Sequence, residues 1–273
     1  MIKNLFMATM ILVAPAVYAQ NQALYECIYQ YDVTGETEKG KLSETYDCML
    51  LIGEENSKFL DYAAFQLDSV SAIKGIDEEI IQEYQKRDNQ AKNYFDRRIF
   101  YSMPKEKLTI TASMAPSHYQ YDEKTPIISW TLSEETENIC GYECKKGEGE
   151  YGGRRWTVWY AEDIAVPFGP WKLIGLPGLV MKATDSENIH TFCAISFREG
   201  NSSISPDKIP NVIKMDHDKF EKAKNNYDKD PFTAINPQDI THMEVTKNKG
   251  LLINGVPVRK HDNGFIPLEL PTK

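Results

Sequence analysis

The heptapeptide Arg155-Trp156-Thr157-Val158-Trp159-Tyr160-Ala161 decides how the chain is read. Side chains alternate across a strand, so Trp156, Val158 and Tyr160 share one face, and Thr157, Trp159 and Ala161 share the other. Both faces carry aromatic area, and a sheet that is apolar on two sides needs cover. Working outward, further short runs rich in Tyr, Ile, Phe and Thr occupy residues 24–33, 42–52, 58–67, 98–103, 108–113 and 118–121. Residues 127–132, 138–146, 179–184 and 190–197 continue the pattern, with Gly, Pro, Asn and charged clusters between the runs. Regular turn signals between such runs predict an antiparallel meander. Two stretches have helical spacing, 77–94 and 218–227, each with acidic residues at its start, where they favour the helix dipole. The expected fold is therefore mainly β: a single domain, with a curved antiparallel meander sheet and one or two covering helices.

The composition fits. Aromatic residues make up 11% of 273 residues, enough ring area to offset the entropy of ordering the chain. A formal charge of −9 repels phosphate backbones, and no basic stripe overrides it, so nucleic-acid binding is disfavoured. The first residues read as an export signal. Lys3 supplies the positive start, residues 5–14 are apolar, and Val17-Tyr18-Ala19 suits a signal peptidase. The domain organisation expected is a leader over 1–19 and one β-rich domain over 20–273, in the periplasm or outside the cell. No later segment is long and uncharged enough to cross a membrane as a helix.

Export makes disulfides relevant to the five cysteines. Cys27 and Cys48 lie in two runs joined by a polar stretch. A turn centred on Thr37-Glu38 would place them opposite each other, so a Cys27–Cys48 bridge is expected. Cys140 and Cys144, read as parts of one strand, are too far apart to pair. Cys140, Cys144 and Cys193 are read as structural thiols.

From Trp156 to Thr184 the chain reads WTVWYAEDIAVPFGPWKLIGLPGLVMKAT. With Tyr142-Glu143-Cys144-Lys145-Lys146 and Gly153-Arg154 before it, this segment resembles the GLPGLI family of exported Bacteroidetes proteins. The family motif corresponds to Gly175-Leu176-Pro177-Gly178-Leu179-Val180, with Val180 in place of Ile. Gly53, Ser57-Lys58-Phe59 and the terminal Ile266-Pro267-Leu268-Glu269-Leu270 extend the resemblance over most of the chain. It implies an envelope or secreted location and brings no established activity. Physically, Leu176-Pro177-Gly178-Leu179 suits a type II turn, with Pro fixing φ at the second position and Gly178 at positive φ. Trp171, Leu173, Ile174 and Leu176 then form an apolar cluster, with Lys172 directed away.

The chain has no G-x-S-x-G elbow, H-E-x-x-H helix or phosphate-binding P-loop. Asp216-His217-Asp218 is the densest group of metal-ligand types, but it precedes a helix and is read as its cap. His118, Gln120 and Asp122 share a strand face. No catalytic residue, metal set or cofactor is assigned. The expected function is non-enzymatic: a binding or carrier protein holding an apolar or amphiphilic ligand against Trp156, Trp159, Tyr160 and Trp171, with Lys172 at the rim. The alternative is an interaction module for another envelope protein, docking through the Gly-Pro corner or a strand edge. A hydrolase or metalloenzyme with a dispersed site is the third reading. If the leader is removed after Ala19, N-terminal sequencing of envelope-extracted protein will read from Gln20; a chain still starting at Met1 would refute this.

Overall fold

The computed structural model describes residues 22–37, 40–90, 95, 97–102, 107–247, 250–258 and 267–270. The expected leader, 1–19, lies outside the described residues. The remainder is mainly β, as the alternation predicts. Six strands run outward as one meander: β1 (Tyr25–Thr37), β2 (Gly40–Ile52), β3 (Asn56–Asp61), β4 (Arg97–Ser102), β5 (Lys107–Met114) and β6 (Ser117–Lys124). Five more form a second: β7 (Thr131–Ile139), β8 (Tyr142–Tyr151), β9 (Arg154–Ala161), β10 (Leu179–Asp185) and β11 (His190–Glu199). Antiparallel pairing of β1 with β11, from Tyr25↔Glu199 to Val33↔His190, joins the two meanders into one sheet. The two-residue β12 (Ile213–Lys214) adds a parallel pair at the β6 edge. A separate small sheet follows, of β13 (Met243–Thr246), β14 (Gly250–Ile253) and β15 (Val256–Pro257).

The concave face is filled. Tyr31 stacks on Phe192 at 4.5 Å and meets Phe95 at 5.0 Å, and Phe95 packs on Trp171 at 5.5 Å. Trp156, Val158 and Tyr160 belong to the same buried cluster. Offset and edge-on ring pairs such as these add about 0.5–1.5 kcal/mol each beyond their burial.

Cover comes partly from an unexpected element. Residues 58–67 were expected to be one strand, but the strand stops at Asp61. The Asp61 carboxylate accepts a hydrogen bond from the Ala63 amide at 3.0 Å and caps helix α1 (Tyr62–Ser71). Ala64 and Phe65 of α1 close over Met49, Leu51 and Leu60 on the convex face. The expected helix at 77–94 forms as α2 (Glu78–Gln90), with 91–94 outside the described residues, and Ile80 on it is exposed. The helix expected at 218–227 is α3 (His217–Lys229), whose Phe220 stacks on Tyr121 at 4.7 Å and covers the first meander. Asp216 stands at its N-cap position without a side-chain capping bond and pairs instead with Lys219 at 3.2 Å. The short helix α4 (Pro231–Ala234) follows, with Pro at its first turn.

Two cysteine readings are corrected. Residues 138–146 form a hairpin, because Cys140 and Gly141 both have positive φ, 53° and 87°, the geometry of a two-residue turn between β7 and β8. The expected Cys27–Cys48 bridge is absent and both thiols are free. The β1–β2 turn lies one residue further along than expected, so Cys27 faces Leu50 and Cys48 faces Tyr29. Burial pushes the Cys27 thiol up to about 12, against a lowering hydrogen bond with Tyr29. Burial also raises Cys48, reinforced by Asp61 and Asp47. The thiolate is the nucleophile, so these thiols are protected twice, by access and by protonation. Iodoacetamide at pH 8 will therefore modify exposed Cys140 in the native protein and spare Cys27 and Cys48 until denaturant is added. Mass mapping showing native modification of the latter two would contradict this burial.

Candidate functional site

The loop between β9 and β10 folds back under the sheet instead of projecting from it. Its turns are closed by backbone bonds: the Gly175 amide donates to Pro167 at 3.0 Å, Val180 to Phe168 at 3.0 Å, and Leu179 to Ile164 at 3.0 Å. Two side chains satisfy further carbonyls, Tyr29 Oη donating to Val180 at 2.6 Å and Trp130 Nε1 to Ile174 at 3.0 Å. Phe168, Trp171, Leu173, Ile174, Leu176 and Leu179 are buried, which agrees with the expected apolar cluster; Gly175 and Pro177 are exposed.

The glycines of this motif act differently from the expectation. Gly175 has φ of 94°, whereas Gly178 does not adopt positive φ, so the type II turn with Gly178 in the left-handed region does not form. Gly178 is needed for close approach instead. A Cβ there would lie 2.1 Å from the Ala161 carbonyl oxygen and 2.9 Å from the Glu162 nitrogen.

Lys172 also departs from the reading. It turns inward, its side chain 1% exposed, with Nζ 2.7 Å from Glu123 Oε2 and 2.8 Å from Glu269 Oε1. Trp171, at a φ of 57°, donates from Nε1 to the same Glu269 oxygen at 3.0 Å. His217 Nε2 lies 3.5 Å from both Glu123 and Glu221, and Arg97 reaches Glu221 at 3.1 Å. A second buried pair lies beside this cluster. Arg154 donates to Asp185 at 2.7 Å, with side chains 2% and 1% exposed, and Asp185 also accepts from the amides of Ile189 and His190. Arg154 further donates to the carbonyls of Pro267 and Leu268, and the Leu270 amide donates to Gly152 at 2.8 Å. Burial raises the Tyr151 hydroxyl well above its ordinary range, and Glu269 and Glu123 add to the effect. A cleft of about 370 Å³ lined by residues 150–155 opens next to these contacts.

Of the aromatic candidates, Trp156, Tyr160 and Trp171 are buried in the packed core, while Trp159, on the alternate face of β9, is partly buried and packs at the edge of the same cluster. On that face Trp159 stands in the row Lys146, Trp159, Lys182, Cys193, Gln30, Asp47. Beside it runs the row Glu148, Thr157, Thr184, Thr191, Asp32, Thr45. His118, Gln120 and Asp122 each bond to neighbours on β5: Ser113, Thr111, and Lys107 with Thr109. Among the described residues, no three His, Cys, Asp or Glu side chains are placed to hold a metal ion, and no helix is long and apolar enough to cross a membrane.

Sequence reading missed Glu123, Glu221, Glu269 and Asp185 as partners of these cations, because carboxylates are numerous and the pairs span 31 to 124 residues. No family model matches the chain, and no curated protein matches it. Among solved structures it is similar to PNGF-II in a P21 crystal form, with a TM-score of 0.50 and 16% identity over 74% of this chain and 32% of that one. A C2 form of PNGF-II gives a TM-score of 0.47 at the same identity and coverage. At this identity the likeness to the P21 form is one of fold, and this chain spans about a third of that chain's length. Gly178→Ala should destabilise the protein by about 1–3 kcal/mol through overpacking against backbone. Gly175→Ala, which meets only Trp130 Nε1 at 3.9 Å, should lose about 1 kcal/mol through its positive φ. Urea denaturation will rank the two, and equal stability of Gly178→Ala and wild type would remove the close-approach argument.

Proposed function

We propose that the protein is exported to the periplasm or cell exterior and acts there as a non-enzymatic interaction module, docking another envelope protein on the sheet face around Trp159. The carrying observation is the division of the aromatic residues: Trp156, Tyr160 and Trp171 are buried in the main core, and Trp159 alone of the four candidates is partly exposed. A packed concave face argues against the carrier reading, which needs a ring-lined chamber of about 300–1,000 Å³. The Trp159 face has the composition of a recognition surface. Its threonines and paired charges are hydrogen-bonded in place, as where Thr45 donates to Asp32 at 2.6 Å and Lys182 pairs with Glu137 at 2.8 Å. A rigid indole on such a face supplies contact area at low entropic cost. The acidic residues Glu134, Glu135 and Glu137 on edge strand β7 disfavour strand addition there, so the face rather than the edge is the docking surface.

A hydrolase with a dispersed site is the second reading, and the convergence of Glu123, His217 and Glu221 favours it. Native mass spectrometry of protein purified from its own envelope separates these alternatives. The expected result is a co-purifying protein that is lost in Trp159→Ala while the fold, by circular dichroism, is kept. Bound lipid retained by Trp159→Ala would restore the carrier reading. Turnover of chromogenic esters or glycosides that Glu123→Gln abolishes would favour the hydrolase.

A further inference from the structure

Residues Pro267–Leu270 belong to no strand or helix, yet they are held in the manner of a bound peptide. Main-chain groups are recognised first. Arg154 donates to the Pro267 carbonyl at 2.7 Å and to the Leu268 carbonyl at 3.1 Å, and the Leu270 amide donates to Gly152 at 2.8 Å. One side chain is recognised by charge, because Glu269 Oε1 accepts from both Trp171 Nε1 at 3.0 Å and Lys172 Nζ at 2.8 Å. Leu268, 5% exposed, enters the main core, while Leu270 lies over Gly153. The turn receiving them has no side chains to obstruct it. Gly152 and Gly153 have φ of 61° and 75°, and a Cβ on either would come within 3.0 Å of Glu269 Cγ or Leu270 Cβ.

We infer that this seat is a peptide-binding groove, occupied by the chain's own Pro267–Leu270 and able to take in exchange an extended peptide with one carboxylate between two leucines. Two observations beyond the contacts carry the exchange. Open space adjoins the seat, since a cleft of about 370 Å³ lined by residues 150–155 shares Gly152, Gly153 and Arg154 with it. The two buried cations of the seat also keep a carboxylate each when the segment leaves. Arg154 keeps Asp185 at 2.7 Å and Lys172 keeps Glu123 at 2.7 Å, so departure of Glu269 strands neither buried cation. Removing the sole partner of a buried charge would be strongly destabilising, and this arrangement avoids it. Backbone recognition combined with one side-chain determinant is how grooves bind extended segments. This inference stands apart from the Trp159 face and does not depend on it.

The test uses the full chain and a fluorescein-labelled Gly-Ser-Pro-Leu-Glu-Leu-Gly-Ser peptide, followed by anisotropy. The chain's own segment competes at an effective concentration in the millimolar range, so the wild-type chain should bind weakly and a Glu269→Gln chain about tenfold or more tightly. Replacing Glu by Gln in the peptide should weaken binding by about tenfold, since the charge-assisted bonds to Lys172 and Trp171 are lost. If Glu269→Gln fails to fold, the wild-type chain serves: millimolar unlabelled peptide should accelerate hydrogen exchange at the Leu270 amide and leave β10 unchanged. The inference is overturned by a folded Glu269→Gln chain that does not bind saturably. Equal affinity for the Glu and Gln peptides overturns it too, as does a Leu270 exchange rate indifferent to added peptide.

Discussion

Antiparallel pairing of β1 with β11 is the constraint on which the rest of the molecule depends. Each meander is built of local hairpins, but these two strands begin 165 positions apart, at Tyr25 and His190, and their ladder alone puts both meanders in one sheet. The join lies at the most buried part of the molecule. Tyr29 and Tyr31 on β1 and Phe192 on β11 are fully buried, and the Tyr31 hydroxyl lies 2.7 Å from His190 Nδ1. A bulge that leaves Ile195 unpaired, between the Ile28 and Tyr29 pairs, shifts the register midway along the ladder. Bulges bend the strand and increase its twist, which suits a sheet that must curve around its own contents.

Part of what fills that curve is drawn from outside the strands. Phe95 and Trp171 both come from connecting segments, and their contact at 5.5 Å continues the ring stack begun by Tyr31 and Phe192. Burying Trp171 brings its neighbour Lys172 into the interior as well. A buried ammonium is tolerable only when paired and hydrogen-bonded, and here it lies between Glu123 of β6 and Glu269 of the terminal segment. The inward turn of this one lysine thus ties the far edge of the first meander, the motif loop of the second and the Pro267–Leu270 segment to a single point. Arg154 does the same work nearby, linking β9 to the end of β10 through Asp185 and to the terminal carbonyls.

The Gly175–Val180 motif and the Pro267–Leu270 segment meet through these residues. Glu269 bonds to Trp171 and Lys172, three or four residues before Gly175. Gly152 and Gly153 allow the close backbone approach of this segment, and its carboxylate adds a second partner to Lys172.

Sequence alone determined what depends on neighbours along the chain. Alternation at 155–161 placed Trp156 and Tyr160 on one face and Trp159 on the other, and the structure keeps that division. The helix at 218–227 and most strand positions follow from the same short periods, which arise from backbone geometry. Where local signals competed, the reading failed. Asp61 could have continued a strand, but its carboxylate caps a helix. Cys140-Gly141 could have been extended, but it turns. Register was also beyond reach, because a shifted turn moved Cys48 opposite Tyr29 and away from Cys27. Tertiary structure decided which face was filled, that Lys172 points inward, and that Gly178 meets the Ala161 carbonyl instead of adopting positive φ. Each of these is a long-range contact whose energy depends on desolvation and steric fit between distant segments, quantities that no spacing within the chain encodes.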